Sequence, residues 1–363
     1  MRKAFYIFVL LFSLSAGPLK AQIKVSLPSF GTLHDQTDTL ELCVIGDVMM
    51  HSRQLEYDCA PFLAELQGTL KGADIAVANL EFALGGEPYS GYPAFSTPDY
   101  YPEYLAKDCG IDVFLCANNH ILDRGSSGLS RTLGIYRQMS DSLGIRFTGI
   151  ASEREEYEET FPLIVRAHGI RIAIINFTYG NNLGPQSEWP KVNNMKEDDV
   201  HAAFEKAKDK GADFIVAIPH WGIEYQLRHS AEQERWASWL VDEGADVVVG
   251  GHPHVVQDTT HIKGVPVIYS LGNAVSNMSI INSRLELAVT LRFVMDRASG
   301  RKRMLEPQLD FMWCTLPGTL TDSYATIYVK EWANRRDDWL TPSDFDNMIE
   351  TWRRVRTATG IED

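Results

Sequence analysis

The chain has 363 residues, 45% of them hydrophobic, and a formal net charge of −14. That length and apolar share suffice for one large layered domain or two modest ones. The acidic balance argues against a nucleic-acid backbone as partner, which calls for basic patches, and fits a soluble protein that needs cations at its acidic sites.

Residues 1–22 read as a targeting segment. Arg2-Lys3 supply a positive start, residues 4–14 a short apolar run, residues 13–17 small side chains, and Ala21-Gln22 a cleavage position. The run is too short to span a bilayer comfortably, and no cysteine directly follows it to carry a lipid. No later stretch has the length and apolarity of a membrane helix, so the mature protein is expected to be exported (periplasmic or extracytoplasmic) and soluble. Five cysteines, at 43, 59, 109, 116 and 314, show no paired metal spacing. Export permits disulfides, but Cys43 and Cys116 sit in strand-like runs and are expected to pack as small apolar groups. One or two bridges stay open at this point.

Residues 23–39 read as a loose polar leader. Residues 40–45 then form a strand-like run ending in Gly46-Asp47, with His51 four residues later. An acidic residue directly after a buried strand stands at the carboxyl edge of a sheet, where open α/β folds place ligands. The arrangement recurs. Residues 73–78 read as a strand ending in Asn79-Leu80-Glu81, and residues 111–116 as one ending in Asn118-Asn119-His120, with Asp123 close by. A helix is predicted from Gly125 to about Ser142, with Leu129, Leu133, Tyr136 and Leu143 on its apolar face. A short strand follows over 145–150, then a hairpin of 162–165 and 170–177 turned at Ala167-His168-Gly169.

Residues 178–195 are polar and contain Gly and Pro, as a loop over a site would, and residues 196–210 read as a surface helix. Residues 212–218 form a fourth buried strand ending in Pro219-His220-Trp221-Gly222, with Glu224 nearby. A helix over 229–242 leads to a fifth strand, 245–249, and to Gly250-Gly251-His252-Pro253-His254. In extended backbone the side chains at i and i+2 point the same way, so both imidazoles can face one point. Residues 255–258 and 265–271 are strand-like, and residues 284–296 and 302–313 alternate as antiparallel strands do, predicting a second, antiparallel-rich sheet beside the first. Phe345, Met348, Ile349 and Trp352 mark a packing helix near the end. Alternating strands and helices predict a mainly parallel α/β core.

Five strand ends thus carry ligand-type residues: Asp47 with His51, Glu81, Asn119 with His120, His220, and His252 with His254. Two carboxylates, an amide oxygen and at least three imidazoles suit a two-metal site, in which a carboxylate such as Glu81 bridges two cations. Such a pair generates hydroxide from water near neutral pH and stabilises charge on the attacked centre.

The ordered set GDVMMHSR, NLE, NNHILDRG, PHWGIE, GGHPHVVQ and YSLGN resembles the bacterial capsule-synthesis CapA family of poly-γ-glutamate biosynthesis, itself related to calcineurin-like metallophosphoesterases. The resemblance runs from about residue 41 to 295. It implies a four-layer αββα sandwich of the metallo-dependent phosphatase type over residues 40–300, with 301–363 packing on the same domain. It implies two divalent ions (manganese, iron or zinc) held by Asp47, Glu81, Asn119, His220, His252 and His254, with His51 as a further candidate. Asn119, His220 and His252 would complete one position, and His254 would join Asp47 at the other. His120 would protonate the leaving group, oriented by Asp123, after attack by metal-bound hydroxide on a phosphoester or related bond. Arg53, Trp221 and Glu224 are the candidate substrate contacts, and Tyr225 and residues 178–195 the candidate pocket walls. This sequence departs from the wider phosphoesterase pattern in two places. His51 stands four residues after Asp47, not two, and Glu81 replaces an aspartate. The implied partners are an anionic polymer or a phosphoester substrate and a capsule-export machinery. The competing reading is a non-catalytic metal- or polymer-binding component of that machinery.

Overall fold

The computed structural model describes residues 37–184 and 187–362. The expected targeting segment at 1–22 and most of the leader lie outside the described residues. The first part of the chain supplies β1 (Thr37–Val48), α1 (Gln67–Gly72), β2 (Ile75–Leu80), α2 (Tyr100–Lys107), β3 (Val113–Leu115), α3 (Gly125–Leu143) and β4 (Arg146–Thr148). Next come β5 (Ile150–Ala151), α4 (Arg154–Thr160), β6 (Leu163–Ala167), β7 (Ile170–Thr178) and β8 (Lys191–Val192). They are followed by α5 (Glu197–Asp209), β9 (Phe214–His220), α6 (Ala231–Glu243) and β10 (Val247–Val249). The last part holds β11 (Thr259–Ile262), β12 (Val265–Ile268), β13 (Asn273–Val275), β14 (Leu285–Asp296) and β15 (Lys302–Met304). It ends with β16 (Gln308–Thr315), β17 (Ala325–Tyr328), α7 (Val329–Trp332) and α8 (Pro342–Thr359).

Period-two alternation assigns the layers. In β1, Leu40, Leu42 and Val44 point into one core with Ile172 and Ile174 of β7, Val216 of β9 and Val249 of β10. Cys43 and Ile45 point the other way, onto Tyr101 and Leu105 of α2 and Leu129, Leu133 and Tyr136 of α3. In β7 the odd face reverses: Ala173, Ile175 and Phe177 meet Val200 and Phe204 of α5 and Trp236 and Leu240 of α6. The result is helix, sheet, sheet, helix: the four-layer αββα sandwich. Fully burying each Leu or Val of the middle layer contributes about 1.5–3 kcal/mol. Capping sets the helix ends. Ser230 and Gln233 make a reciprocal capping box at the start of α6, and Gly244 ends it in the left-handed conformation.

The first sheet runs β17-β16-β14-β1-β2-β3-β4, and the second β11-β12-β10-β9-β7-β6. Here the structure corrects the expected partition. The alternating strands near the carboxyl terminus do not build a second sheet. They extend the first, because β14 pairs antiparallel with the free edge of β1 from Thr37↔Asp296 to Ile45↔Ala288. The second sheet instead comes from the middle of the chain, with β7, β9, β10 and β12 parallel and the hairpin strands β6 and β11 at its edges. On the extension, α8 takes the place of the opposing sheet, since Phe345, Met348 and Val355 join the same core as Leu287 and Trp313.

Three local expectations also shift. The first strand starts at Thr37, inside the expected leader, because its outer residues pair with β14. Residues 178–195 are not all loop, since β8 pairs with β5. Residues 255–258 make only the single bridge Val256↔Leu271, and the strand forms one step later as β11. There the Asp258 side chain accepts from the His229 N–H and the Gln257 side chain donates to the carbonyls of Gln226 and Arg228, while the Gln257 N–H still donates to the Ser270 carbonyl. All five cysteines are free and buried.

Candidate metal centre

Parallel strands deliver their carboxyl ends to one edge, and both sheets do so toward the same place. Asp47 is the next-to-last residue of β1, Glu81 directly follows β2, and His220 is the last residue of β9. The segment after β10 closes over them and bridges back, His220↔Gly251. Gly250 and Gly251 are required by closeness. A Cβ on Gly250 would stand 2.1 Å from the Tyr269 carbonyl oxygen, and one on Gly251 3.0 Å from Asp47 Oδ1.

The two histidines converge for a reason other than strand alternation. His252 has φ of +95° and His254 +57°, both left-handed, so the expected extended i, i+2 geometry does not occur here. This conformation is costly for a residue with a Cβ. It is held from outside: the His252 N–H donates to Asp47 Oδ2 at 3.1 Å, and the Pro253 carbonyl accepts from the Tyr225 N–H at 2.9 Å. The ring centroids lie 5.8 Å apart, with His220 4.9 Å from His252.

Two sets of ligand atoms result, sharing Glu81. Glu81, His220 and His252 form one, and Asp47, Glu81 and His254 the other, each with donor atoms within 4.8 Å of one another. Glu224 forms a further group with His252 and His254. Asn119 Oδ1 lies 2.7 Å from His220 Nε2, beside the first set. Glu81 Oε1 stands 3.6 Å from His220 Nε2 and 3.8 Å from His254 Nε2. Both Glu81 oxygens and His252 Nδ1 are buried with no hydrogen-bond partner. Burial without a partner is expensive, and these groups converge on common points. This donor set is compatible with metal binding.

Electrostatics agree. Burial, then the charge of Glu81, pushes the Asp47 carboxyl up to about 7 against the help of His220, Asn79 and the His252 N–H. Burial likewise raises Glu81 to about 8. Burial lowers His220 to about 4 and His254 to about 3, and holds His252 well below its ordinary range. The rings are therefore held neutral, the form of imidazole that ligates a metal. His120 differs. Burial opposes its charge, but the Asp123 hydrogen bond and the charges of Glu81 and Asp123 prevail and its pKa is raised. Its Nδ1 lies 2.7 Å from Asp123 Oδ2, which also accepts from the Phe95 N–H at 2.8 Å.

The remaining candidates sit around this centre. His51 Nδ1 lies 3.1 Å from Gln54 Oε1 and 3.2 Å from the Asn277 N–H, and its ring packs edge-on against Phe95. Burial lowers it to about 4. Arg53 is exposed and engages Tyr57. Trp221 is 1% exposed and donates its indole N–H to the Tyr269 carbonyl, so it forms a floor.

Several contributors were not among the expected site residues. Asn79 donates to Asp47 Oδ1 at 2.7 Å. Asn273, the final letter of YSLGN, faces His254 Nδ1 at 2.9 Å while its amide nitrogen is spent on Ser276 Oγ and the Ser283 carbonyl. Its Oδ1 therefore accepts from Nδ1–H, which leaves His254 Nε2 as the metal-facing nitrogen. Asn182 donates its backbone N–H to the Asn119 carbonyl, and Tyr179 packs its ring 4.6 Å from His252. Asn273 was findable as the polar end of an apolar run. Asn182 and Tyr179 belong to residues 178–195, expected as a loop over the site, although which of its side chains reach the centre is decided by the fold.

Capsule biosynthesis protein CapA of Bacillus anthracis is 29% identical over 257 residues, covering 67% of this chain and 61% of that relative. PGA biosynthesis protein CapA of Bacillus subtilis is 27% identical over 300 residues, covering 77% and 72%. The chain thus spans about three fifths of the length of the first relative and somewhat more of the second. A phosphatase structure from Mycoplasma pneumoniae aligns with a TM-score of 0.44 at 12% identity, covering 76% of this chain and 94% of that one. The 5′-nucleotidase of Candida albicans also aligns at 0.44, with 11% identity over 89% and 59%. Those scores carry no argument about chemistry. The profile described as bacterial capsule synthesis protein PGA_cap matches residues 41–278, well over half of the sequence, and the chain belongs to that family.

Proposed function

We propose that the chain is an exported metal-dependent hydrolase of phosphoester-type chemistry, acting in the synthesis of capsule, poly-γ-glutamate or another cell-surface polymer. One observation carries the reading: two buried carboxylates and three buried neutral imidazoles converge beside an aspartate-held histidine, with the Glu81 oxygens and His252 Nδ1 left without a hydrogen-bond partner. Two divalent cations, manganese, iron or zinc, would supply Lewis-acid polarisation of the attacked centre and of a water. Glu81, His220, His252 and Asn119 would hold one, and Asp47, Glu81 and His254 the other.

The chain's own residues do the rest. His120 Nδ1 is committed to Asp123, so Nε2 is the nitrogen that carries a transferable proton to a leaving group. Asp123 is itself fixed by the Phe95 N–H, which holds the ring in one orientation. Asn79 and Asn273 orient Asp47 and His254. The targeting pattern at 1–22 supports export, and the names of the Bacillus relatives support a role in capsule or PGA biosynthesis.

Purified protein loaded with manganese, zinc or iron and assayed on a chromogenic phosphodiester panel tests the reading. Turnover should require the metal and disappear in His120→Ala and His254→Ala. Bound metal with no turnover of any phosphoester or polyglutamate would leave a metal-binding component of an assembly machine instead.

A further inference from the structure

Beside the metal centre lies a second cavity of about 440 Å³ that none of the proposed chemistry uses. Its floor is Trp221 and Trp236, 1% and 4% exposed, and Met195 lines it. Its lips are Tyr179 and Ile223, 48% and 58% exposed. The first turn of α6 completes the wall, with Ser230 and Gln233 occupied in their capping box and Glu232 as the one charged lining residue among the described residues.

The cavity and the metal centre share a wall. Tyr179 packs its ring 4.6 Å from His252 and donates its backbone N–H to the His220 carbonyl. Trp221 is the next residue after His220. A group bound at the metal centre therefore reaches the cavity past one tyrosine ring.

We propose that this cavity is the subsite for the non-reacting part of the substrate: an uncharged or cationic group with a flat or apolar face, attached to the anion at the metal centre. The proposal rests on the hydrolase reading of that centre. The chemistry of the lining selects the occupant. Large aromatic faces reward stacking and apolar burial. Among the described residues no lysine or arginine lines the cavity, and Glu232 repels a second anion. Exposed Tyr179 and Ile223 give apolar surface that a bound group would cover.

Calorimetry on the manganese-loaded full chain tests this without turnover, using inorganic phosphate, methylphosphonate, phenylphosphonate and 4-carboxyphenylphosphonate as probes. Phenylphosphonate should bind roughly tenfold to a hundredfold more tightly than methylphosphonate, and the added carboxylate should erase much of that gain. Ala231→Trp, which fills the cavity, should abolish the phenyl advantage and leave phosphate binding unchanged. Glu232→Lys should restore binding of the carboxylated ring. If phosphate and methylphosphonate bind but the phenyl ring gains nothing, or if both variants keep the wild-type ranking, the subsite is wrong and the metal centre stands. If Ala231→Trp fails to fold, the Glu232→Lys ranking decides alone. If none of the four probes binds, the metal-centre reading falls and the subsite with it.

Discussion

Among the described residues, two buried charged clusters are built on opposite plans. Arg284 and Asp344 pair through two hydrogen bonds of 2.7 Å, the arginine Nε donates to the Cys314 carbonyl, and the guanidinium stacks 4.3 Å from the Trp313 ring centroid. Every charge there has its partner within the chain. At the strand ends, Asp47 and Glu81 share a site with three neutral histidines and no lysine or arginine ion pair, and neither carboxylate oxygen of Glu81 has a hydrogen-bond partner. The first cluster is complete and ties α8 to the sheet. The second is complementary to cations that the chain does not itself supply. Glu286 refines the contrast. Its oxygens are also orphaned, but no imidazole set converges on it, and burial holds its carboxyl well above the usual range, so it stays protonated. An orphaned carboxylate alone does not make a metal site; convergence does.

The sharpest way to break the comparison is at the centre itself. His120→Ala should lower turnover by about 10²–10⁴-fold while metal content, read by elemental analysis, stays unchanged. Asp47→Asn should instead cost metal affinity, by more than the roughly hundredfold seen for outer partners. The melting temperature of the metal-free protein should change little, because removing the buried charge offsets the acceptor lost to Asn79 or the His252 N–H. A metal-free protein that melts markedly lower in this variant would mean that the strand-end cluster is self-satisfied after all.

The self-satisfied cluster should respond in the opposite sense. Arg284→Ala strands Asp344 and should cost about 3–5 kcal/mol in denaturant unfolding, with metal affinity per folded molecule unaltered. Asn273→Leu is subtler. It removes the acceptor that sets the His254 tautomer, and a titration should show metal affinity weakened by about 10–100-fold.

The smallest expected effect is on pH dependence of the metal-free protein. Raised carboxyls at Asp47 and Glu81 lose stability as pH climbs from their unfolded values toward about 7 and 8. Lowered imidazoles at His220 and His254 gain stability as pH climbs from about 4 and 3 toward the ordinary histidine value. Below pH ~6.5 the two trends oppose each other, and above it only the carboxylate loss remains. Thermal melts of chelated protein should therefore fall by about 2 kcal/mol between pH 6.5 and 8. A saturating divalent cation should remove that decline, and a chelated protein that gains stability over the same window would contradict the assigned shifts.

Much of this was legible in the chain. Runs such as 73–78 and 111–116 declare strands because their neighbours are apolar on both sides, which is what burial between two layers requires. Polar residues at their ends then mark the carboxyl edge, and Asp47, Glu81, Asn119, His220, His252 and His254 do meet there. What periodicity could not carry was pairing over long separation. β14 looks like any alternating strand, and nothing local says that it completes the edge of β1 some 250 residues earlier, a separation set by edge satisfaction and not by sequence.

The sequence by itself therefore determined the alternation of strands and helices, the positions where each buried strand ends, and the chemistry waiting at those ends. These follow from short-range patterns of apolar and polar residues. Tertiary structure decided which sheet each strand joined, the left-handed backbone that turns His252 and His254 inward, and the neighbours Asn273, Asn182 and Tyr179. Those depend on groups far apart in the chain satisfying one another at the same point, and no local pattern encodes that.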